Sequence, residues 1–426
     1  MIKKLILISF SCFILASPQI STVFADSMES QSTKTLTIEE TVQLALANYA
    51  NIKLSQWNVA TSDAQYSYVN AEQKNLEQKN VAITSGTLPV STEYFMKNIP
   101  NYNQLSDEEK AGLNQSIAIQ IMINASLNQQ ISAQTDSQNI YNQQQKTSQL
   151  KEFSDKLRSL NTDKVLARLE LQKSEALIRY YAIQKYAQLS SQKANIEFDK
   201  QENQYWITQA DDALILFRHG VLSRKSLEDA TNKVRQQKAI LERDQNIYKS
   251  QMDMFKLELG LSSYKDITLA EAKTEYPKTE ALSTIVDMDN NFDLKEEDAK
   301  IALAKSNYDA VTASNSELKS YYSVIWSSQI GHKNIVQQQL EEKWAGYKSE
   351  AKEFYTKYLH LEEDYIQLIQ SLEDSKTLYG KGLITLSEID KNQLQLIQLN
   401  REMNNLKFDY FTFLEKVNLA VKGVIL

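Results

Sequence analysis

Turn-forming residues are scarce in this chain. Its 426 residues include 9 Gly and 4 Pro, far below average usage of about 7% and 5%. Turn-rich sandwiches, barrels and enzymes built on Gly loops need those residues, so the shortage excludes them. Cysteine is nearly absent too: Cys12 alone, which leaves neither disulfides nor thiolate metal sites in a processed chain. Basic charge is in deficit, with 47 Lys and Arg against 54 Asp and Glu, and no basic patch with interleaved aromatics suggests a nucleic-acid partner. Beyond the N-terminus no apolar run approaches the length of a membrane span. Catalytic signatures are missing as well. His219, His332 and His360 are scattered, without companions at metal-ligand spacing. Neither a phosphate loop nor a nucleophile elbow is present. An enzyme, a cofactor or a metal centre is therefore not expected.

The N-terminus has the layout of a secretory signal. Lys3 and Lys4 precede the apolar stretch Leu5 to Ala16, and Val23-Phe24-Ala25 has the spacing of a cleavage site. Cleavage would place Asp26 first and, by removing two lysines, take the formal charge from −7 to −9. The expectation is an exported, extracytoplasmic protein.

What the sequence has in quantity is helical periodicity. Ile389, Leu396, Met403, Tyr410, Val417 and Val424 recur every seven residues, with Leu399, Leu406, Phe413 and Ala420 three positions later. That is the seam of a left-handed coiled coil. Leu227, Val234, Leu241, Tyr248 and Phe255 repeat the pattern 162 positions earlier. Both helices follow similar turns, Gly220-Val221-Leu222-Ser223 and Gly382-Leu383-Ile384-Thr385. Glycine fits a left-handed helix end, and Ser223 and Thr385 are candidate caps for the next helix, so each turn reads as a hairpin tip. The starts of the halves match as well, Asn48 to Lys53 against Asn290 to Lys295. Asn48 to Gly220 spans 172 residues and Asn290 to Gly382 only 92, which puts about 80 extra residues in the first half, between Lys79 and Lys151. The expected fold is all-α with little or no β-structure: two tandem repeats of long antiparallel coiled-coil hairpins. The boundaries are a signal at 1–25, repeats at 26–263 and 285–426, and a linker at 264–284.

Three passages together resemble the TolC family, the outer-membrane ducts of bacterial efflux and type I secretion systems. They are Leu36 to Asn48, the two tip elements, and Leu257-Glu258-Leu259-Gly260-Leu261 at the end of the first repeat. The resemblance implies a trimer closing a hollow helical cylinder. It also implies docking on an adaptor protein that is bound to an ABC-type or other inner-membrane transporter. Gly220, Val221, Leu222, Ser223, Gly382, Leu383, Ile384 and Thr385 would form the docking tips. The family's membrane-barrel strands have little room here. Tyr321 to Asn334 is too short for two strands and is expected to be a helix-to-helix connection around Gly331. Ile117, Ile119, Ile121 and Ile123 alternate like one strand, although a buried helix fits them too. Loss of the barrel suggests an envelope without an outer membrane, such as that of a Gram-positive bacterium. A helical pore-forming toxin and a structural coiled-coil envelope protein remain as alternatives.

Overall fold

The computed structural model describes residues 34–264, 266–279, 282, 284–312 and 314–426; the signal sequence expected at 1–25 lies outside them. Eight helices and two short strands make up the regular structure of these residues, apart from single 3₁₀ turns. Strand β1 (Lys34–Leu36) leads into α1 (Ile38–Asn48) and α2 (Ala50–Gln78). A return segment holding α3 (Thr92–Lys97) joins α2 to α4 (Asp107–Arg218). Helix α5 (Arg224–Glu258), strand β2 (Ile267–Leu269) and helix α6 (Phe292–Asp309) follow. The chain ends with α7 (Ser316–Gly380) and α8 (Leu386–Val421).

Helix α4, at 112 residues, is the spine, about 168 Å long at the α-helical rise. It packs on α2 and α6 in its upper part and on α5 and α8 in its lower part, while α7 packs on α6 and α8. The helices thus lie side by side in one layer, α2–α4–α6–α7 above and α5–α4–α8–α7 below. The seven-residue rows fill the seams within the hairpins: Ile389, Met403, Leu406, Phe413, Val417 and Ala420 are buried, as is Phe255 on α5. No helix among the described residues is long and apolar enough to cross a membrane.

At mid-height the ends of the repeats meet. β1 and β2 pair in parallel with Leu36 opposite Leu269, forming the only sheet among the described residues. Tyr186 of α4 locks this join. Its hydroxyl lies 2.6 Å from the Ala270 carbonyl and 2.9 Å from that of Leu36, so one proton is shared between the ends of both strands. Burial pushes the phenol up to about 12. Asn48 donates to the Leu259 carbonyl at 3.0 Å, and Phe292 N–H donates to Gly423 at 2.9 Å. The start of each half is thereby tied to its own end.

One expectation is corrected and one open alternative is decided. The connection placed around Gly331 is not there; α7 runs unbroken through Tyr321 to Asn334, and the turn lies earlier, at residues 310–315. One interior Gly costs a helix only about 1 kcal/mol, and Asn315 instead caps α7 by accepting from Leu318 N–H at 3.1 Å. The Ile117–Ile123 run is helical, within α4. Ile117 is buried, whereas Ile119 and Ile123 are exposed on the other side of the helix.

That run belongs to an arm. Lys146 Nζ donates to the carbonyls of Glu77 and Lys79 at 2.8 Å each, level with the end of α2. Beyond it, roughly 40 residues of α4 project about 60 Å, accompanied by residues 79–106 alone. Among the described residues, the extended part of this return segment has no strand beside it. Asparagines of α4 take that place. Asn139 accepts from Ile83 N–H at 2.7 Å and donates to Ile83 O at 3.1 Å. Asn128 does the same to Leu88 at 2.7 and 2.9 Å. Eleven helical residues rise about 16.5 Å, and five extended residues cover about 17 Å, so the two amides meet their targets in step.

Tyr186→Phe removes the shared proton from both strand ends. It is expected to lower stability by about 1–2 kcal/mol, read as a shift of the urea midpoint with the helical circular-dichroism signal otherwise retained.

Candidate functional site

Both hairpin tips are built alike. The last turn of α4 is closed by Val221 N–H donating to Leu216 O at 2.9 Å, and that of α7 by Leu383 N–H donating to Leu378 O at 2.9 Å. Gly220 and Gly382 both sit at φ 71°, the left-handed position this closure demands. A β-carbon at either glycine would meet nothing within 4 Å, so backbone conformation alone selects the residue. Ser223 then caps α5, its hydroxyl accepting from Ser226 N–H at 3.1 Å. Thr385 departs from expectation. It stands at the cap position of α8, but its side chain makes no capping hydrogen bond; its backbone carbonyl accepts from Glu388 N–H instead.

The tips lie at the same end of the molecule. Asp199 pairs with Arg401 and Gln209 with Asp390 across the antiparallel α4–α8 seam, a register that carries Gly220 to the level of Gly382. Val221 is 71% exposed and Leu383 67%, while Leu222 and Ile384 are half-buried. Around them Leu216, Phe217, Leu378, Tyr379 and Leu386 are also exposed. Leu216, Phe217, Leu378 and Tyr379 belong to the matching turn segments in the sequence, but none of the five is assigned to the docking surface there, because on the flanking helices a regular period conceals an exposed apolar side chain. What the arrangement offers chemically is a paired apolar end with tightly closed backbone, suited to contact and not to reaction.

Above the tips, the seam between the two hairpins is polar, unlike the apolar seam within each. Arg401 donates to Asp199 at 2.6 Å and to Glu202 at 3.3 Å. Asn405 accepts from Asn195 at 2.9 Å and from Ser191 at 3.1 Å. Burial pushes the Asp199 carboxyl up from the usual range, with Arg401 pulling against it. Among the described residues there is no cluster of three or more His, Cys, Asp or Glu able to hold a metal ion. His332 instead contacts Glu297 at 2.9 Å across α6 and α7.

Replacing Gly220 or Gly382 by Ala puts a side chain at positive φ. Each change is expected to cost about 1–2 kcal/mol, with increased amide hydrogen exchange confined to the affected tip.

No family sequence model matches this chain, and no curated protein does. Its fold, however, is similar to solved structures along nearly the whole length. CusC, from a study of folding and transmembrane channel formation, is 10% identical with a TM-score of 0.60, covering 93% of this chain and 96% of that one. The outer membrane protein VceC of Vibrio cholerae is 12% identical with a TM-score of 0.55, covering 91% and 97%. The CmeC outer membrane channel of Campylobacter jejuni is 10% identical with a TM-score of 0.55, covering 94% and 90%. At these identities the likeness is one of fold, and the chain has the TolC-like fold of bacterial outer membrane channels.

Proposed function

We propose that copies of this chain close into a helical tube, a conduit of an efflux or secretion assembly in the extracytoplasmic envelope. One observation carries the reading: the two open edges of the helical layer match each other. On one edge, Trp57 and Tyr68 of α2 are exposed, each 67%, on the side of the helix opposite buried Ile52 and Val69. On the other edge, Ile335 and Val324 of α7 are exposed. Cross-helix bonds give the heights: Asp63 with Arg168, Lys173 with Asp293, and Lys333 with Asp298. Followed through these antiparallel pairs, Trp57 comes level with Ile335 and Tyr68 with Val324, to about one turn. Both members of each set are eleven residues apart.

The lower half repeats the match. Ile240 and Ile247 are exposed on α5, and Ile366 and Leu359 on α7, each pair seven residues apart. Gln237 with Glu202, Asp199 with Arg401, and Glu350 with Lys416 give the register. Ile240 comes level with Ile366, and Ile247 with Leu359. Exposed apolar rows at matching heights on opposite edges suit a head-to-tail ring of copies, and the family resemblance implies three.

The same reading makes the tips the adaptor-docking end, through Gly220, Val221, Leu222 and Ser223 on one hairpin and Gly382, Leu383, Ile384 and Thr385 on the other. The partner is then a membrane-fusion adaptor coupled to an ABC-type or other inner-membrane transporter. The channel proteins of similar fold support a transport role and give no support to an enzyme.

A chain carrying Ile247→Cys and Leu359→Cys together should form covalent rings on mild oxidation, and either single change should not. Monomers alone under these conditions would overturn the tube. Leu222→Glu with Leu383→Glu should abolish co-purification with the adaptor while leaving ring cross-linking intact; undiminished capture would remove the tips from docking.

A further inference from the structure

The helical layer has two dissimilar faces at mid-height. On one, Phe411 and Glu415 of α8 line a hollow with Ile38, Val42, Ala270 and Lys273, which belong to the segments around β1 and β2. On the opposite side of α8, Asp409, Thr412 and Lys416 border a bare groove of about 580 Å³ between α4 and α7. In a closed tube with the strand-bearing segments outside, this groove faces the lumen.

Aromatic rings form its floor: Tyr180 from α4, Phe354 from α7, and Phe408 and Phe413 from α8. Gln184, Gln188 and Gln192 edge it from α4. They offer hydrogen bonds to polar substituents without adding charge. Of its three charged side chains, two are already matched. Lys416 donates to Glu350 at 2.9 Å and lies 4.3 Å from the centre of the Tyr347 ring. The third, Asp409, has no hydrogen bond or ion pair among the described residues. Its side chain is exposed, yet the packed groove wall desolvates the carboxyl enough to push it upward, and Lys357 draws it partly back. The groove therefore combines a carboxylate that no close ion pair neutralises, with Lys357 acting on it only from beyond salt-bridge distance, and an aromatic surface. Its volume falls in the range of small-molecule sites.

We infer that this groove is a binding site for organic cations that carry an aromatic ring. Rings of such a ligand would lie on Phe354 and Phe408, and its positive charge would be met by Asp409 and by the faces of the aromatic side chains. An inorganic divalent ion is a poorer fit, since a single free carboxylate falls short of the six or more oxygens such ions take. Anions meet this carboxylate and are disfavoured. The inference deepens the conduit reading by naming a class of cargo, and it rests on that reading only for the direction in which the groove opens.

The purified full chain titrated with rhodamine 6G, a cationic aromatic dye, should show saturable binding by fluorescence polarisation. Fluorescein, anionic and of similar ring size, should neither bind nor compete. Asp409→Asn should weaken rhodamine 6G binding at least tenfold, and Phe354→Ala should weaken it as well, each with unchanged helical circular dichroism. Asp409 is exposed and makes no hydrogen bond or ion pair among the described residues, so its neutral variant should fold normally. Equal binding by Asp409→Asn, or equal binding of the two dyes, would overturn the site. Cysteine cross-linking of the ring edges reads the conduit separately: rings without dye binding overturn this site alone, and dye binding without rings overturns the tube alone.

Discussion

A layer one helix thick has no interior, and everything else in this molecule follows from that constraint. Except at mid-height, where α1 and the strand segments cover one face of α4, each helix buries its flanks against neighbours and leaves two faces open, so side-to-side contact is the main source of stability. Helix α4 meets the demand by running the full length and packing in turn against α3, α2, α6, α1, α8 and α5. Helix α7 has neighbours on one side only, and α2 and α5 likewise on the other. A flat layer of this kind ends in two unsatisfied margins unless it curls round to meet a copy of itself. The matched apolar rows at those margins are the feature that a curled arrangement requires.

Within the layer, apolar and polar seams divide the work. Each hairpin holds its own helices together by rows such as Met403, Leu406, Phe413 and Val417. Between the hairpins, Arg401, Asp199, Asn195 and Asn405 form hydrogen bonds across a seam with little apolar area. The hairpins are therefore stiff units, joined at mid-height where Phe408 and Phe411 of α8 pack against the core around Tyr186, and more weakly toward the tips. Separating them near the tips uncovers polar groups that water can satisfy, a far smaller cost than opening an apolar core.

Much of this was legible in the sequence because it is local. Seven-residue rows and Gly-containing turns declare themselves within one stretch of chain, and both tips close at the glycines the motifs mark. The α6–α7 turn was hidden since residues 310–315 contain neither Gly nor Pro, while Gly331 offered a false stop in the middle of a long helix. The alternation of Ile117 to Ile123 imitated a strand because two periods coincide there: Ile117 and Ile121 face the return segment, Ile119 and Ile123 the opposite side. The groove at Asp409 had no signature in the sequence. Its residues come from α4, α7 and α8, and only the register between helices brings them together.

The asparagine rungs of the arm set a rule for its length. Asn139 and Asn128 grip Ile83 and Leu88 because eleven helical steps equal five extended ones. Loss of one residue from either strand of this ladder rotates or shifts every rung beyond it, and the outer backbone amides lose their partners together. A change in the projection's length keeps these two rungs in step only where helix and extended chain change by matching rises, as eleven residues of helix with five of extended chain do. Its reach is thus a compromise between two backbone geometries, about 1.5 Å per helical residue against about 3.4 Å per extended one.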